Sequence, residues 1–303
     1  MGVKREHTSV EEGSGESSGS VELAGEYLER HTPLFGAAAK AILAKDPQLL
    51  PVFEKADFDL FKVREPGYEE PSDDAKLQNA FSKLGGAIVG QQISNAAARS
   101  IRGRVQALFG DRFPEFGELR KYAEDSANVK LLRECGLSQR KVTYLLSLAD
   151  YFDENGERLK QLYYHGGEDT DTEICDDLVN GVKGIGPWTA KMFLVSGLRR
   201  FDVFAPEDVG VARGFARFIG DRPKLLAEVQ QEIKDMGPDR KRKKSPVKHK
   251  KTSWKVYDID LMEKCAERFA PYRTVFMFLL WRLSGTGKVD VTIDVENQFV
   301  NTL

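Results

Sequence analysis

The residues of this chain best suited to chemistry lie between Val182 and Asp208. The run Val182-Lys183-Gly184-Ile185-Gly186-Pro187-Trp188-Thr189-Ala190 sets two glycines in a tight turn ahead of an apolar stretch, and Asp208 follows 22 residues after the second glycine. A Gly-Ile-Gly turn lets the backbone approach a ligand closely, because no Cβ stands in the way. Pro187 suits the first position of a helix, where its missing N–H is no loss. The free N–H groups and the positive end of that helix make an anion site, and a backbone phosphate is the fitting ligand. Val182 and Ile185 pin the turn to a core, and Asp208 puts a negative charge near whatever carries the phosphate. Read alone, Gly-x-Gly-Pro is equally an ordinary corner between two helices. It is not a dinucleotide fingerprint, since no third glycine follows at that spacing and no β-rich run precedes it.

The sequence that must position these residues is patterned almost throughout as helix. Residues 34–45 are alanine-rich, and residues 76–90 and 94–109 place Leu, Phe, Ile and Val at three- and four-residue intervals. Ser138 is the expected N-cap of a helix over 139–153, whose Val142, Leu145, Leu146 and Ala149 form one stripe. Asp171 or Thr172 starts the helix that enters the glycine turn. Segments 191–198, 207–218, 223–235, 258–268 and 272–284 complete an all-α reading. Strand alternation is nearly absent, and there is no internal repeat. Residues 1–20, rich in Gly, Ser and Glu, have almost nothing to bury and are expected to be disordered.

Composition sets outer limits. At 303 residues, 41% apolar and 30% charged, the chain resembles ordinary soluble proteins with one large core or two lobes. No apolar run approaches the roughly 18 residues of a membrane span, and no charged-then-apolar leader begins the sequence. Cys135, Cys175 and Cys265 are odd in number and scattered, which suits a reducing compartment rather than a disulfide framework or a zinc cage. The net charge of −2 hides an asymmetry: the first 30 residues carry −4 and the remainder +2. Binding a polyanion needs only a local basic patch. The densest is Asp239 to Lys255, with nine Lys or Arg and one acid, which reads as a solvated loop inserted at about 237–255. Its Arg240-Lys241-Arg242-Lys243-Lys244 core is a nuclear localisation patch, a DNA-backbone contact, or both; the plainer alternative is a basic loop with no role.

At this point four ordered segments carry a resemblance. Gly184-Ile185-Gly186-Pro187-Trp188-Thr189-Ala190, followed by Phe204-Ala205-Pro206-Glu207-Asp208, resembles the hairpin and aspartate signature of the helix–hairpin–helix (HhH-GPD) DNA glycosylase superfamily. Ala87-Ile88-Val89-Gly90-Gln91-Gln92-Ile93-Ser94 is similar to its minor-groove wedge segment. Cys135 to Lys141 resembles its GLS..K helix start, and Pro271-Tyr272-Arg273-Thr274-Val275-Phe276 with Leu280-Trp281-Arg282 its closing helix. The order holds from about residue 30 to 285, and the likeness is strongest to the fungal 3-methyladenine DNA glycosylases of the alkylbase class.

The resemblance implies a two-lobed helix–hairpin–helix fold with the active-site cleft between the lobes. One lobe falls at about 76–180, the other at about 21–75 plus 181–303. It implies Asp208 as the catalytic carboxylate, with a purely capping role as the alternative and Glu207 as the competing acid. Trp188 and Trp281 are implied to line the base pocket. Gln91, Gln92, Ser94, Gly184, Gly186 and Thr189 are implied to touch DNA. Where bifunctional relatives carry a lysine, this chain has Trp188, which implies simple hydrolysis with no strand cleavage. Lys183 and Lys191 sit on other turns. Two departures are plain: Gln92 stands where some bacterial relatives have an apolar leucine, and Met192 where some have a tyrosine. His31 and His165 are expected to be isolated surface or loop residues rather than acids. No cofactor is required, although relatives hold a monovalent cation, Na⁺ or K⁺, on hairpin carbonyls that correspond to Asn180, Val182 and Ile185.

The expected activity is therefore a monofunctional glycosylase that flips alkylated purines from duplex DNA, acting as a nuclear monomer in base excision repair with no membrane partner. Two alternatives stay open. The same fold serves other lesions, such as deaminated or mismatched bases, and a panel of lesions separates these. A non-catalytic helix–hairpin–helix module would bind duplex without releasing any base.

Overall fold

A computed structural model describes residues 22–237, 243–247 and 252–285. The acidic tail over 1–20 and most of the basic run, including Arg240 to Arg242 and His249, lie outside the described residues. Within them the chain is helical, and the one extended pairing is a single bridge between His31 and Lys62. The helices are α1 (Gly25–Glu29), α2 (Pro33–Lys45), α3 (Leu50–Phe53), α4 (Asp73–Gly90), α5 (Asn95–Ala107), α6 (Phe116–Tyr122), α7 (Ser126–Glu134) and α8 (Gln139–Lys160). They continue with α9 (Asp171–Gly181), α10 (Pro187–Ser196), α11 (Val209–Gly220), α12 (Pro223–Asp235), α13 (Ile259–Ala266) and α14 (Arg273–Leu283).

Helix starts follow the capping chemistry of the sequence. Thr32, Ser72, Ser94 and Ser138 each accept a backbone N–H three residues on, at 3.3–3.4 Å, which satisfies one of the donors a helix start leaves open. Two short helices escape the periodicity reading. The start of α6 is closed by a Glu115–Glu118 capping box and that of α7 by Asp125.

Packing divides the helices into two groups. In one, α4 packs on α5 and α8, and α8 also carries α6 and α7. Phe81 is the centre of this core, with Phe113, Phe116 and Phe152 at ring-centroid distances of 5.6–5.9 Å. In the other group α11 crosses α14, α12 pairs with α13, and α2 and α3 lean on α14. Its core is also aromatic: Phe35, Phe53, Phe58, Phe61 and Phe278 on one side of α14, Phe218, Phe269 and Phe276 on the other. Each buried ring contributes about 1.5–3 kcal/mol of transfer energy, so tertiary burial rather than helix propensity holds these short helices. The hairpin helices α9 and α10 pack on each other, and α10 also touches α4. Tyr163 against Phe193, 5.4 Å apart, adds to that seam.

His31 corrects the expectation of a surface histidine. It is 2% exposed, stacked on Phe35 at 4.5 Å. Its Nε2 accepts the Phe58 N–H at 2.9 Å, so Nδ1 carries the proton and donates to the Tyr27 carbonyl at 2.8 Å. Burial holds the imidazole neutral by lowering its pKa. His165 does lie on the surface, paired with Asp73 at 2.7 Å.

Lys83 of α4 is buried at 6% exposure, and its Nζ donates to the Ser196 carbonyl at the end of α10 at 3.2 Å. Burial, aided by the charge of Arg199, pushes this ammonium down to about 8 from 10.5. The folded state then holds fewer protons than the unfolded one between these two values, so this group's contribution to stability rises with pH across that window. Lys83→Met keeps the apolar stem and removes the buried charge. It is expected to stabilise the fold most below pH 8, by up to about 3 kcal/mol, and the advantage over wild type should shrink between pH 8 and 10.5. Urea unfolding of both proteins across that range checks this; a difference independent of pH would show that Lys83 holds its proton as firmly in the fold as in the unfolded chain.

Candidate active site

The glycine turn joins α9 to α10. Val182 and Ile185, both buried, anchor it. Gly184 takes a positive φ of 85°, and a Cβ there would lie 2.2 Å from the Tyr144 ring of α8. Gly186 differs: a Cβ would meet nothing within 4 Å, so its open face is turned toward solvent and free for a ligand. Gly186 is the N-cap of α10 and Pro187 its first residue. The first amide to bond back is that of Ala190, to the Gly186 carbonyl at 3.0 Å. The N–H groups of Trp188 and Thr189 therefore sit in the unsatisfied first turn, at the positive end of the helix. Thr189 contributes this backbone rather than its side chain, which is buried.

Asp208 is the N-cap of α11. Its Oδ1 accepts the Val211 N–H at 2.9 Å and the Trp281 indole N–H at 2.9 Å, and its Oδ2 accepts the Trp188 indole N–H at 3.0 Å. Three donors from α10, α11 and α14 thus fix one half-buried carboxylate in place. Capping and the catalytic role expected of this side chain are compatible, since Oδ2 takes no part in the cap. Gly210 makes the arrangement possible, since a Cβ there would stand 2.9 Å from Trp281 Cδ1 and 3.1 Å from Asp208 Oδ1. Glu207 is occupied differently, its carboxylate 3.0 Å from the Lys191 ammonium. That pair neutralises the competing acid and ties the loop before α11 to α10.

The two tryptophans are not equivalent. Trp188 is half-buried and keeps part of its ring open, whereas Trp281 is 4% exposed and packs at a steep angle on Phe278, 5.0 Å between ring centroids. Trp281 therefore reaches the site through its N–H, not as an open pocket wall. Met192 is fully buried in α10.

The turn after α4 is less uniform than the paired glutamines suggest. The Gln91 amide donates to the Gly184 carbonyl at 2.8 Å, so it ties this turn to the glycine hairpin. Gln92, with a φ of 59°, is exposed, and so is Ile93 at 37%. Gln92 and Ile93 are the side chains of this turn that project freely. Ser94 is exposed and caps α5. Sequence reasoning missed two supports. Lys141 donates to the Val89 carbonyl at 2.7 Å, closing the end of α4, and Tyr144 lies beneath Gly184. Lys141 was visible as the lysine of the GLS..K segment; Tyr144 had no sequence signal.

Among the described residues no group of three His, Cys, Asp or Glu side chains gathers as a metal site, and no helix is long and apolar enough to cross a membrane. The chemistry on offer is an anchored carboxylate beside a half-open indole, next to an anion-binding helix start.

Comparison with known proteins agrees with that geometry. A family model described as "HhH-GPD superfamily base excision DNA repair protein" matches residues 86–238, spanning the wedge turn, the hairpin and Asp208. The chain is 45% identical over 282 residues to a DNA-3-methyladenine glycosylase of Saccharomyces cerevisiae, covering 93% of this chain and 90% of that protein. It is 25% identical over 230 residues to DNA-3-methyladenine glycosylase 1 of Schizosaccharomyces pombe, covering 73% and 80%. A solved DNA-3-methyladenine glycosidase from Bacillus halodurans superposes with a TM-score of 0.56 at 29% identity, over 84% of this chain and 91% of that one. With a family model that matches half of its length and a relative 45% identical over most of it, the chain belongs to the HhH-GPD superfamily of base excision DNA repair proteins.

Proposed function

We propose that the protein is a monofunctional DNA glycosylase that removes alkylated purines, such as 3-methyladenine and 7-methylguanine, from duplex DNA. The observation that carries this reading is the carboxylate of Asp208, held by two indole N–H groups and a helix start beside the phosphate-binding turn. The target nucleotide must leave the stack for its C1′ to reach the carboxylate. Gln92 and Ile93, exposed at the wedge turn, fill the gap from the minor groove. The N–H groups of α10 hold a neighbouring phosphate. As the C1′–N bond breaks, its electron pair leaves with the base and positive charge grows on the sugar. The fixed anion of Asp208 stabilises that charge without reorganising. Water then adds to C1′ and loses a proton, leaving an abasic site. An alkylated purine of this kind is already a cation and departs neutral, so no acid catalyst is needed. The open part of the Trp188 ring offers a cationic base about 0.5–2 kcal/mol of cation–π attraction.

The lysine that would form a Schiff base is absent from position 188, and the amine of Lys191, which reaches the loop before α11, is held by Glu207. Borohydride trapping on methylated duplex is expected to yield no covalent protein–DNA adduct, and the product strand should stay intact until alkali is added. A trapped adduct would replace simple hydrolysis with a lyase reaction.

A Na⁺ or K⁺ ion, where bound, would rest on the carbonyls of Asn180, Val182 and Ile185. Val182 accepts one long bond, from the Ile185 N–H at 3.3 Å, which leaves it a lone pair for such an ion. Its contribution would be to stiffen the turn, and no step passes through it. We place the protein in the nucleus as a monomer, on the strength of the Arg240 to Lys244 run and the need to reach chromosomal DNA.

A further inference from the structure

Arg140 and Lys183 are two cations that the described catalytic groups leave unused. Three ties bring their neighbourhood together. Lys141 closes the end of α4 on Val89, Gln91 joins the wedge turn to the Gly184 carbonyl, and the Lys183 N–H donates to Ser147 Oγ of α8 at 3.1 Å. The wedge turn, the glycine hairpin and the start of α8 therefore form one continuous face. Arg140 stands on it. Its guanidinium donates to the Tyr144 hydroxyl from Nε at 3.3 Å and from Nη2 at 3.0 Å, and the Tyr144 ring lies directly under Gly184. The side chains of Arg140 and Lys183 are exposed, and among the described residues neither is paired with a carboxylate.

Among the described residues, exposed cations without an ion pair also stand at Arg99, Lys121 and Arg133, so what gives Arg140 weight is its place against the ring that supports the hairpin. On the same group of helices Arg112 is paired with Glu118, Arg120 with Asp150 and Asp153, Arg158 with Asp177, and Lys160 with Asp74 and Glu157. Those charges are largely cancelled. Arg140 is oriented by a neutral phenol, which fixes its planar fork while leaving its full charge and further N–H donors for an oxyanion. One tyrosine ring separates it from the hairpin that takes a phosphate.

We propose that Arg140 and Lys183 are additional phosphate-binding residues, gripping backbone phosphates that flank the one held by the hairpin. This rests on the reading of the hairpin face as the DNA-binding face. The test is the salt dependence of affinity for a duplex carrying a stable abasic-site analogue, followed by fluorescence anisotropy from 50 to 300 mM KCl. Each phosphate contact contributes about 0.9 to the slope of log K against log [salt]. Arg140→Gln and Lys183→Gln are each expected to weaken binding and reduce the slope by about 0.9, and the double variant by about twice that. Arg112→Gln, which removes an already paired charge, should keep the wild-type slope, and thermal melts should be unchanged for all of them. Wild-type slopes in both Arg140→Gln and Lys183→Gln would overturn the proposal while wild-type binding left the DNA-binding face intact. A wild-type protein with no affinity for the duplex would instead remove the reading beneath it.

Discussion

Asp208→Asn lowers the single-turnover rate of base release from methylated duplex by about 10²–10³-fold, with folding and duplex affinity close to wild type. The substitution is nearly isosteric, and asparagine is as good an N-cap as aspartate. The amide oxygen still accepts from Val211 and Trp281. The amide nitrogen then faces the Trp188 N–H, where Oδ2 accepted at 3.0 Å, so two donors confront each other. The variant loses the anion that stabilises the sugar cation and loosens the indole on the pocket side. Thermal melts and anisotropy on an abasic-site duplex control for folding and binding. Equal release by both proteins would remove Asp208 from the mechanism.

Gly214→Ala is expected to be the most damaging of the helix glycine substitutions. A Cβ at Gly214 would stand 1.8 Å from the Leu280 carbonyl oxygen, with backbone rather than a flexible side chain in the way. The crossing of α11 and α14 must open, at a cost of about 3 kcal/mol or more. That crossing also sets the 2.9 Å bond between Trp281 and Asp208. Activity should therefore fall further than the loss of folded protein explains, measured by chemical denaturation beside single-turnover excision at a temperature where both proteins are folded. A variant with wild-type stability and rate would mean that the helices are not in contact here.

What the sequence revealed divides along physical lines. The helices with a long apolar stripe, α4, α5, α8, α11 and α14, were readable because burial on one face imposes a 3.6-residue period. The helix over 139–153 was legible too, although α8 runs on to Lys160, since Leu159 takes up the stripe of Tyr151 and Phe152 again beyond the polar stretch 153–158. Helices α6 and α7 were not: each is under three turns and buries only one fully covered residue, Leu119 and Leu132. At the site, Asp208, the hairpin glycines and Trp188 were recognisable because ordered motifs mark them. The indole N–H bonds were not, because they join residues 20 and 73 positions apart. His31 was misjudged for a related reason. Its partners are a carbonyl four residues back and an amide 27 residues on, and only the second, distant contact decides that the ring is buried.

Hydrolysis of alkylated purine nucleotides at Asp208 can be followed through the fate of a single lesion. A duplex with one radiolabelled 3-methyladenine is mixed with excess wild-type protein, and free base and strand length are followed together. Free 3-methyladenine is expected to appear in step with abasic sites on uncleaved strands. Tight binding of the duplex without any free base would contradict hydrolysis at Asp208, leaving a hairpin module that binds DNA and performs no chemistry.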